Sequence, residues 1–232
     1  MINTNNEVAK IIKELHQELE FSGVILIKRE NDIIYENSFG YANRSEGIHN
    51  TLQTRFGIAS GCKIFTAIGI CQLVEKGLLS FHTKLTDCLS IFSLDNLPKD
   101  TAIGYIKDGN NQKWRTNAYS IPIKGGADGG AYVTAPDMLK FWKSLFNNEI
   151  LSYQYTNLLL TPHILVNNSQ SYGYGIWIEK KQNTIFKYHV MGYDPGVSFR
   201  SAVYPDLGIT LVIPSNKGAG PEKFMVEIEG VL

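Results

Sequence analysis

The chain contains 232 residues, of which 44% are hydrophobic and 19% are charged, as in an ordinary globular protein. Lysine plus arginine and aspartate plus glutamate number 22 each, so the formal net charge is zero. A neutral chain exerts no overall attraction on nucleic acid or on an anionic membrane, and we expect neither as a partner.

The first predicted element is an amphipathic helix in MINTNNEVAKIIKELHQELEF. Its apolar residues recur at helical spacing: Val8, Ile11, Ile12, Leu15 and Leu19. The segment lacks the basic start and the apolar core of a signal peptide, and no apolar run in the chain is long enough to span a bilayer. We therefore expect a cytoplasmic protein.

The stretch FSGVILIKRENDIIYENSFGYANR predicts a β-hairpin with its turn over residues 30–32. A helix is predicted from about Cys62 to Glu75, with Gly77 as its stop signal. Because nearly all of its positions are apolar or small, we expect this helix to be buried. Two more helices are predicted, in APDMLKFWKSLFNN and from Ser152 to Leu160.

From Tyr172 onward the pattern predicts short strands, in YGYGIWIEK, TIFKYHVMG, GVSFRSAVYPD and GITLVIPSN. The segment PEKFMVEIEGVL predicts a closing helix. This order of elements, without a linker or repeat, predicts one α+β domain over residues 1–232 in which helices pack on the faces of an antiparallel sheet.

Neither a metal nor a cofactor is expected. The cysteines form an odd set without metal-ligand spacing and are expected to be free thiols: Cys62, Cys71 and Cys88. The histidines show no paired spacing: His16, His49, His82, His163 and His189.

One pair of residues points to chemistry, since Lys63 in the first turn of the apolar helix follows Ser60 by three positions. The hydroxyl and the amine should therefore be neighbours. An amine against apolar side chains is poorly hydrated, which favours its neutral form, and a neutral amine can take the serine proton. Backbone N–H groups at the helix N-terminus would stabilise an oxyanion. Taken alone, Ser-x-x-Lys occurs by chance about once in such a chain, and a solvated lysine explains it equally.

The surroundings of Ser60 make the pattern specific. TRFGIASGCKIFTAIGICQLVEKGLLSFHTKLTD resembles the serine β-lactamase and penicillin-binding-protein superfamily, in particular its class C-related branch of stand-alone esterases and D-aminopeptidases. The resemblance continues, in the family's order, in GGADGGAYVTAPDMLKFW, YGYGIWI and GYDPGVSFRSAVYPD, and so covers most of the chain. It implies a sheet with the N- and C-terminal helices on one face and the serine helix on the other. It also implies Ser60 as the acylated nucleophile and Lys63 as its base or proton shuttle.

The third motif of the family, Lys/His-Thr/Ser-Gly on an edge strand, is only partly matched. It falls on three residues: Val190, Met191 and Gly192. The resemblance implies that the N–H of the next residue, Tyr193, joins that of Ser60 in an oxyanion hole, and a backbone donor tolerates side-chain changes. His189 precedes the cationic position by one residue. Because successive residues of a strand face opposite sides, we expect His189 on the wrong side unless a bulge intervenes.

In the family, the second motif, Tyr-x-Asn or Ser-x-Asn, belongs to a helical domain that follows the serine helix, and between that helix and GGADGG neither the motif nor the domain is found. The apparent deletion falls near Leu89 to Ile91. One explanation is that the protein lacks the domain, either naturally or by engineering. The other is that the sequence omits residues that the gene encodes. We prefer the first explanation. Half of the cleft wall would then be missing, and the exposed apolar surface would favour a homodimer or an element-swapped oligomer.

Another tyrosine is a candidate to complete the proton relay: Tyr105, Tyr119, Tyr132 or Tyr193. We favour Tyr119 among these, although most tyrosines simply pack. Asp128 in GGADGG is a candidate to orient a loop at the cleft, although an aspartate among glycines is more often a turn residue.

The sequence predicts a serine hydrolase that acts through an acyl-enzyme on a small or peptide-like amide or ester. Loss of one proton-transfer partner would weaken it by about 100-fold to 10,000-fold. Two alternatives remain: a catalytically inactive binding or scaffold protein of the same fold, and a chain whose partner subunit supplies the missing wall.

Overall fold

The computed structural model describes residues 4–82, 99–107, 113–122 and 125–232. Its central feature is an eight-stranded sheet in the order β2-β1-β14-β13-β12-β11-β10-β9, in which every neighbouring pair is antiparallel. Its strands are β1 (Gly23–Arg29), β2 (Asp32–Phe39), β9 (Ile164–Leu165), β10 (Gln170–Tyr172), β11 (Trp177–Lys181), β12 (Thr184–Asp194), β13 (Val197–Tyr204) and β14 (Ile209–Ser215).

Three short strand pairs lie outside the large sheet. They join β3 (Tyr41–Asn43) to β4 (Ile48–His49), β5 (Phe56–Gly57) to β8 (Tyr132–Val133), and β6 (Tyr105–Lys107) to β7 (Trp114–Thr116). These two- and three-residue strands carry no alternation of their own in the sequence, so the sequence analysis did not predict them.

Five α-helices cover the two faces of the sheet among the described residues. They are α1 (Thr4–Glu18), α2 (Lys63–Glu75), α3 (Ala135–Phe146), α4 (Tyr153–Leu160) and α5 (Pro221–Glu229). None of the helices that the structure describes is long and apolar enough to cross a membrane.

Successive side chains of the central strands point to opposite faces of the sheet, and a hydrophobic core lies against each face. In β1, Val24 and Leu26 join the core formed with α2, α3 and α4, whereas Ile25 and Ile27 join the core formed with α1 and α5. The predicted α+β architecture is thereby confirmed, with the terminal helices on one face and the helix after Ser60 on the other.

The predicted elements that form the sheet and its helices are confirmed with small shifts in their ends. The first hairpin turns at Glu30 and Asn31, between β1 and β2. The predicted helix in APDMLKFWKSLFNN is α3, which begins with Thr134 accepting a hydrogen bond from the backbone N–H of Asp137.

The burial expected of the apolar helix α2 is only partly correct. Ile64, Ile68 and Cys71 are buried, but Phe65 is half-buried and Leu73 is 37% exposed. The helix α2 has apolar residues all around it, yet it is not buried on all sides. In the described part of the chain, one face of α2 packs on the core and the opposite face is partly open.

The indole of Trp142 connects α3 to the sheet. Its Nε1 donates to Ser201 Oγ at 2.8 Å, and Ser201 Oγ donates to the carbonyl oxygen of Leu211 at 3.0 Å. Trp142 is 1% exposed and Ser201 is fully buried, so neither group can exchange its partner for bulk water.

Removal of this hydroxyl should cost stability. In Ser201→Ala the buried indole N–H has no acceptor, and we expect the free energy of unfolding to fall by about 1–3 kcal/mol. The measurement is urea unfolding followed by tryptophan fluorescence. Ser198→Ala removes another buried hydroxyl of β13 and is the matched control, with an expected change below half of that value. Equal losses in the two variants would contradict the assignment.

Candidate active site

Ser60 lies in a 3₁₀ turn, Ala59–Cys62, that leads directly into α2. The chain before it is fixed by the pairing of β5 with β8 and by a hydrogen bond from Ile58 N to the carbonyl oxygen of Ala131 at 3.0 Å. Within the turn, Gly61 N donates to the carbonyl oxygen of Ile58 at 2.8 Å. These contacts hold Ser60 exposed at the surface while its neighbours in the turn are buried.

The backbone immediately before Ser60 is strained. Ala59 has φ of +44°, in the left-handed region that non-glycine residues rarely adopt. Such a conformation costs on the order of 1–3 kcal/mol, and it persists because surrounding contacts enforce it. The strain lies at the residue that presents the predicted nucleophile.

Lys63 and Ser60 are in direct contact, with Lys63 Nζ 2.6 Å from Ser60 Oγ. The amine also donates to the carbonyl oxygen of Asp128 at 3.4 Å. Lys63 is half-buried rather than enclosed. The hydroxyl and the amine that the sequence placed one turn apart are therefore hydrogen-bonded to each other.

The loop at residues 125–130 packs against the start of α2 and contacts Lys63 through the carbonyl oxygen of Asp128. Thr66 Oγ1 donates to the carbonyl oxygen of Ala127 at 2.6 Å, and Cys62 Sγ contacts the same oxygen at 3.8 Å. Gly130 has φ of +103°, and an added Cβ would lie 2.5 Å from the Cα of Gly125. The glycines therefore allow the loop to fold tightly against the start of α2.

The edge of β12 lies against the serine turn. A Cβ built on Gly192 would lie 1.9 Å from the carbonyl oxygen of Ile58 and 2.9 Å from the N of Gly61. The pairing of β11 with β12 ends at Trp177 and His189, so residues 190–194 pair only with β13. Tyr193 lies on this free edge, and its side chain is 66% exposed.

Neither side chain at the first two positions of the third motif is cationic, and the histidine before them faces away from Ser60. Val190 is buried in the core that contains Cys62. Lys187, on the face opposite Val190, forms ion pairs with Glu229 of α5 at 2.6 Å and Glu179 at 3.3 Å. His189 lies on that same face, because two positions along a strand restore the side.

His189 is a buried neutral group. It is 4% exposed, and neither ring nitrogen has a hydrogen-bond partner among the residues that the structure describes. Burial, reinforced by Lys187 and Arg200, lowers the pKa of His189 from an ordinary 6.5 to about 3.

Ser60 stands between two clefts. The glycine-loop cleft, of about 280 Å³, includes Ser60, Tyr132 and Asp194 together with residues of the loop 125–130. The arginine cleft, of about 350 Å³, is lined by Ser60, Lys63, Tyr172, Gly175, Trp177, Val190, Met191, Gly192, Tyr193 and Arg200. Both clefts are near the lower end of the size range of small-molecule sites.

The two clefts differ in charge. Asp128 and Asp194 line the glycine-loop cleft, and burial together with the charge of Asp128 raises the pKa of Asp194, while Lys63 opposes the shift. Burial also raises the pKa of Tyr132. The arginine cleft contains the cations Lys63 and Arg200 and no carboxylate side chain among its lining residues.

The structure does not bring Tyr119 to Ser60. Tyr119 is fully exposed and lines neither cleft, and Tyr105 is buried with its hydroxyl accepting from the N–H of Arg44 at 2.7 Å. Tyr132 and Tyr193 do line clefts that contain Ser60. The apparent deletion near Leu89 to Ile91 lies outside the described residues.

Sequence reasoning missed four lining residues: Tyr172, Trp177, Asp194 and Arg200. All four lie within the quoted segments YGYGIWI and GYDPGVSFRSAVYPD, but only the fold shows that they line clefts that contain Ser60. No group of three or more His, Cys, Asp or Glu side chains that could hold a metal occurs in the described ranges.

Comparison with known proteins gives a consistent result. The family model "Beta-lactamase" matches residues 8–105. The crystal structure of a penicillin-binding protein from Bacillus halodurans is 34% identical, with a TM-score of 0.87 over 95% of this chain and 99% of that chain. The chain belongs to the β-lactamase and penicillin-binding-protein superfamily.

Two curated members of this superfamily match part of the chain. Penicillin-binding protein 4* of Bacillus subtilis is 35% identical over 83 residues, and the putative penicillin-binding protein PbpX of the same organism is 30% identical over 139 residues. The matched parts of the chain, 36% and 60% of it, span only 18% and 31% of the length of those proteins.

Two further solved structures are similar to the chain in fold at low sequence identity. D-amino acid amidase from Ochrobactrum anthropi SV3, complexed with L-phenylalanine amide, is 15% identical with a TM-score of 0.72. The octameric penicillin-binding-protein homologue from Pyrococcus abyssi is 18% identical with a TM-score of 0.80.

A methyl group at Gly192 tests whether the close approach of β12 to the serine turn is required. We expect Gly192→Ala to force the strand edge away from Ile58 and to lower the free energy of unfolding by about 1–3 kcal/mol. Gly69→Ala in α2 is the matched control, since an added Cβ there meets nothing within 4 Å. Helix propensity predicts stabilisation by up to about 1 kcal/mol for that control. Thermal unfolding of both variants is the measurement, and a neutral Gly192→Ala would contradict the stated contact.

His189 should make the protein sensitive to acid. The unfolded chain binds a proton at this histidine near pH 6.5, whereas the folded protein does so only near pH 3. Stability is therefore lost as the pH falls through this window, at up to about 1.4 kcal/mol per pH unit, or about 2 kcal/mol by pH 5. Urea unfolding at pH 7 and pH 5 should show a smaller difference for His189→Leu than for the wild type. His82→Leu, which changes an exposed histidine, should keep the wild-type difference, and an unchanged slope in His189→Leu would contradict the assignment.

Proposed function

We propose that the protein is a serine hydrolase that acts through an acyl-enzyme on a small or peptide-like amide or ester. The observation that carries this proposal is the 2.6 Å contact between Lys63 Nζ and Ser60 Oγ at the junction of two clefts. Membership of the superfamily and the D-amino acid amidase fold neighbour support hydrolysis as the class of reaction.

In the proposed reaction, Lys63 is the base that accepts the Ser60 proton as Oγ attacks the substrate carbonyl carbon. The N–H groups of Ser60 and Tyr193 hold the resulting oxyanion. Collapse of the tetrahedral intermediate breaks the bond to the leaving group, which takes the proton from Lys63. Water then attacks the acyl-enzyme by the same route and releases the acid.

The surrounding geometry supports these roles. The Asp128 carbonyl oxygen accepts from Lys63, which orients the amine toward Ser60. The contact of Gly192 with Ile58 brings the free edge of β12, with Tyr193, next to the serine turn. Tyr132 lines the glycine-loop cleft beside Ser60, and we propose it in place of Tyr119 as the candidate tyrosine of the proton relay.

The alternative is an inactive relative that binds a ligand in these clefts. The absence of a cationic side chain at Val190 and Met191 favours it. So does the absence of Tyr-x-Asn and Ser-x-Asn from residues 76–134, between the serine helix and the helix in APDMLKFWKSLFNN. Turnover of a nitrophenyl ester that depends on Ser60 would exclude this alternative.

A fluorophosphonate probe tests the nucleophile. The wild type should be labelled on Ser60, and Ser60→Ala should not be labelled. Equal labelling of the two proteins would contradict the proposal and would favour the inactive alternative.

Cys62 provides the matched control because it is a second nucleophile in the same turn. Its thiol is buried, and burial raises its pKa, so the reactive thiolate is disfavoured. Cys62→Ala should therefore keep wild-type labelling of Ser60.

Removal of the amine tests the proton transfer. We expect Lys63→Met to slow acylation of Ser60 by about 100-fold to 10,000-fold. Lys76→Met, at the exposed end of the same helix, should leave the rate unchanged. Equal rates in Lys63→Met and the wild type would refute the role of Lys63 as base.

We also infer that the chain self-associates. Leu73, Leu78 and Phe81 expose 37%, 66% and 52% of their area beyond the serine turn, and such apolar groups favour burial against another subunit. An octameric homologue exists among the fold neighbours. Light scattering on the full chain measures the mass of the assembly. We expect a dimer or a higher assembly, and a strict monomer would contradict this inference.

A further inference from the structure

A third cleft, of about 620 Å³, adjoins the arginine cleft, and the side chain of Tyr193 lines both. Its walls include two aromatic and two basic residues: Tyr105, Trp114, Lys107 and Lys217. We call it the indole cleft. The proposed reaction at Ser60 uses none of these side chains, so the chemistry of the indole cleft needs an explanation of its own.

Main-chain contacts fix the basic residues beside the indole. Pairing of β6 with β7 places Lys107 directly opposite Trp114. Lys217 follows the end of β14 and forms a bridge with Tyr105 of β6, where the N–H of Tyr105 donates to the carbonyl oxygen of Asn216 at 2.9 Å. The cluster is therefore held by three strands rather than by mobile side chains alone.

Three cations lie close to the indole ring of Trp114. The distances to its centroid are 4.4 Å for Lys217 Nζ, 4.7 Å for the guanidinium carbon of Arg44 and 5.6 Å for Lys107 Nζ. The electron-rich face of an indole attracts a cation but does not neutralise it. Like charges that share one ring also repel each other.

Carboxylates compensate only part of this charge. Among the described residues, Glu20 supplies the one carboxylate within ion-pair distance of the cluster, 3.5 Å from Lys107 Nζ and 3.8 Å from Lys217 Nζ. Glu18 also lines the cleft, but Lys223 holds it at 2.6 Å. Three cations therefore face one carboxylate, a surplus of two positive charges among the described groups. Glu20 is 62% exposed, so solvent further weakens its effect.

Two observations show that the cluster is incompletely satisfied. The side chain of Lys217 is 9% exposed, and its amine donates to the backbone carbonyl oxygen of Glu20. Burial, together with the charges of Arg44 and Lys107, lowers the pKa of Lys217 to about 8 against the opposing effect of Glu20. The Nε of Arg44 is buried and has no hydrogen-bond partner in the part of the chain that the structure describes. An anion in the cleft would compensate this charge.

We propose that the indole cleft binds a phosphate dianion, either inorganic phosphate or the phosphate monoester group of a larger molecule. The charge favours phosphate over a carboxylate, because a phosphate group carries about 1.5 to 2 negative charges near neutral pH and a carboxylate carries one. Ammonium groups bind phosphate as point charges, and the cleft has the size of a small-molecule site. Since Tyr193 lines both clefts, a ligand bound here lies next to the arginine cleft.

Calorimetric titration of the full chain at pH 7.5 and constant ionic strength tests the proposal. The probes are inorganic phosphate, methyl phosphate, dimethyl phosphate and acetate. We expect inorganic phosphate to bind about tenfold or more tightly than the singly charged dimethyl phosphate and acetate, since bonds to charged groups contribute most. Methyl phosphate distinguishes the sources: binding equal to that of inorganic phosphate supports a monoester ligand, and its failure to bind supports free phosphate. Equal binding of all four anions, or no binding of inorganic phosphate, would overturn the proposal.

Variants assign the binding to the cluster. Lys107→Met and Lys217→Met should each weaken the binding of inorganic phosphate by about tenfold or more. Lys180→Met, which removes an exposed lysine of β11, is the matched control and should keep the wild-type affinity. Glu20→Gln removes the competing carboxylate and should tighten the binding. If Lys217→Met does not fold, Lys107→Met and Glu20→Gln still decide, because both residues are exposed. Affinity that survives in folded Lys107→Met, or that falls equally in Lys180→Met, would contradict the assignment.

Chemical modification of Lys217 locates the bound anion. Acetic anhydride acetylates neutral amines, and a phosphate beside Lys217 would favour its ammonium form. Saturating phosphate should therefore slow acetylation of Lys217 by about fivefold or more and leave that of Lys180 unchanged, as followed by mass spectrometry of the peptides. Unchanged acetylation of Lys217 would place the phosphate elsewhere and overturn the proposal. Neither measurement depends on activity at Ser60.

Discussion

The site depends on the approach of one strand to one turn. Gly192 of β12 lies so close to the backbone of Ile58 that no side chain fits between them. This contact joins the sheet to the turn that carries Ser60, and it places the free edge of β12 beside the hydroxyl. Ala59, between Ile58 and Ser60, has a strained φ of +44°. The backbone strain therefore lies next to Ser60.

Around that junction the charges are separated. Lys63 is fixed between Ser60 and the Asp128 carbonyl oxygen, carboxylates line one cleft, and Arg200 lines the other. The clefts on the two sides of Ser60 therefore differ in the sign of their charge. Buried His189 lies on the face away from Ser60, and burial lowers its pKa.

Much of this arrangement was predictable from sequence because periodic patterns determine it. The amphipathic α1, the first hairpin and the strands after Tyr172 follow from apolar spacing, and the Ser60–Lys63 contact follows from their separation of three. Arg200 was not assigned to the site, and Tyr119 was favoured over Tyr132 among the candidate tyrosines. The positions of Arg200 and Tyr132 depend on strand pairing between distant segments, which the sequence patterns do not give. The open face of α2 was also missed, because composition reports how apolar a helix is but not what covers it.

The central claim is that Ser60 forms a covalent acyl intermediate. Rapid mixing with an activated ester, acid quench within milliseconds and mass spectrometry of the peptides measure it directly. We predict a mass increase equal to the acyl group on the peptide that contains Ser60, formed before the steady state and absent in Ser60→Ala. Hydrolysis without any adduct, or an adduct on another residue, would contradict the account.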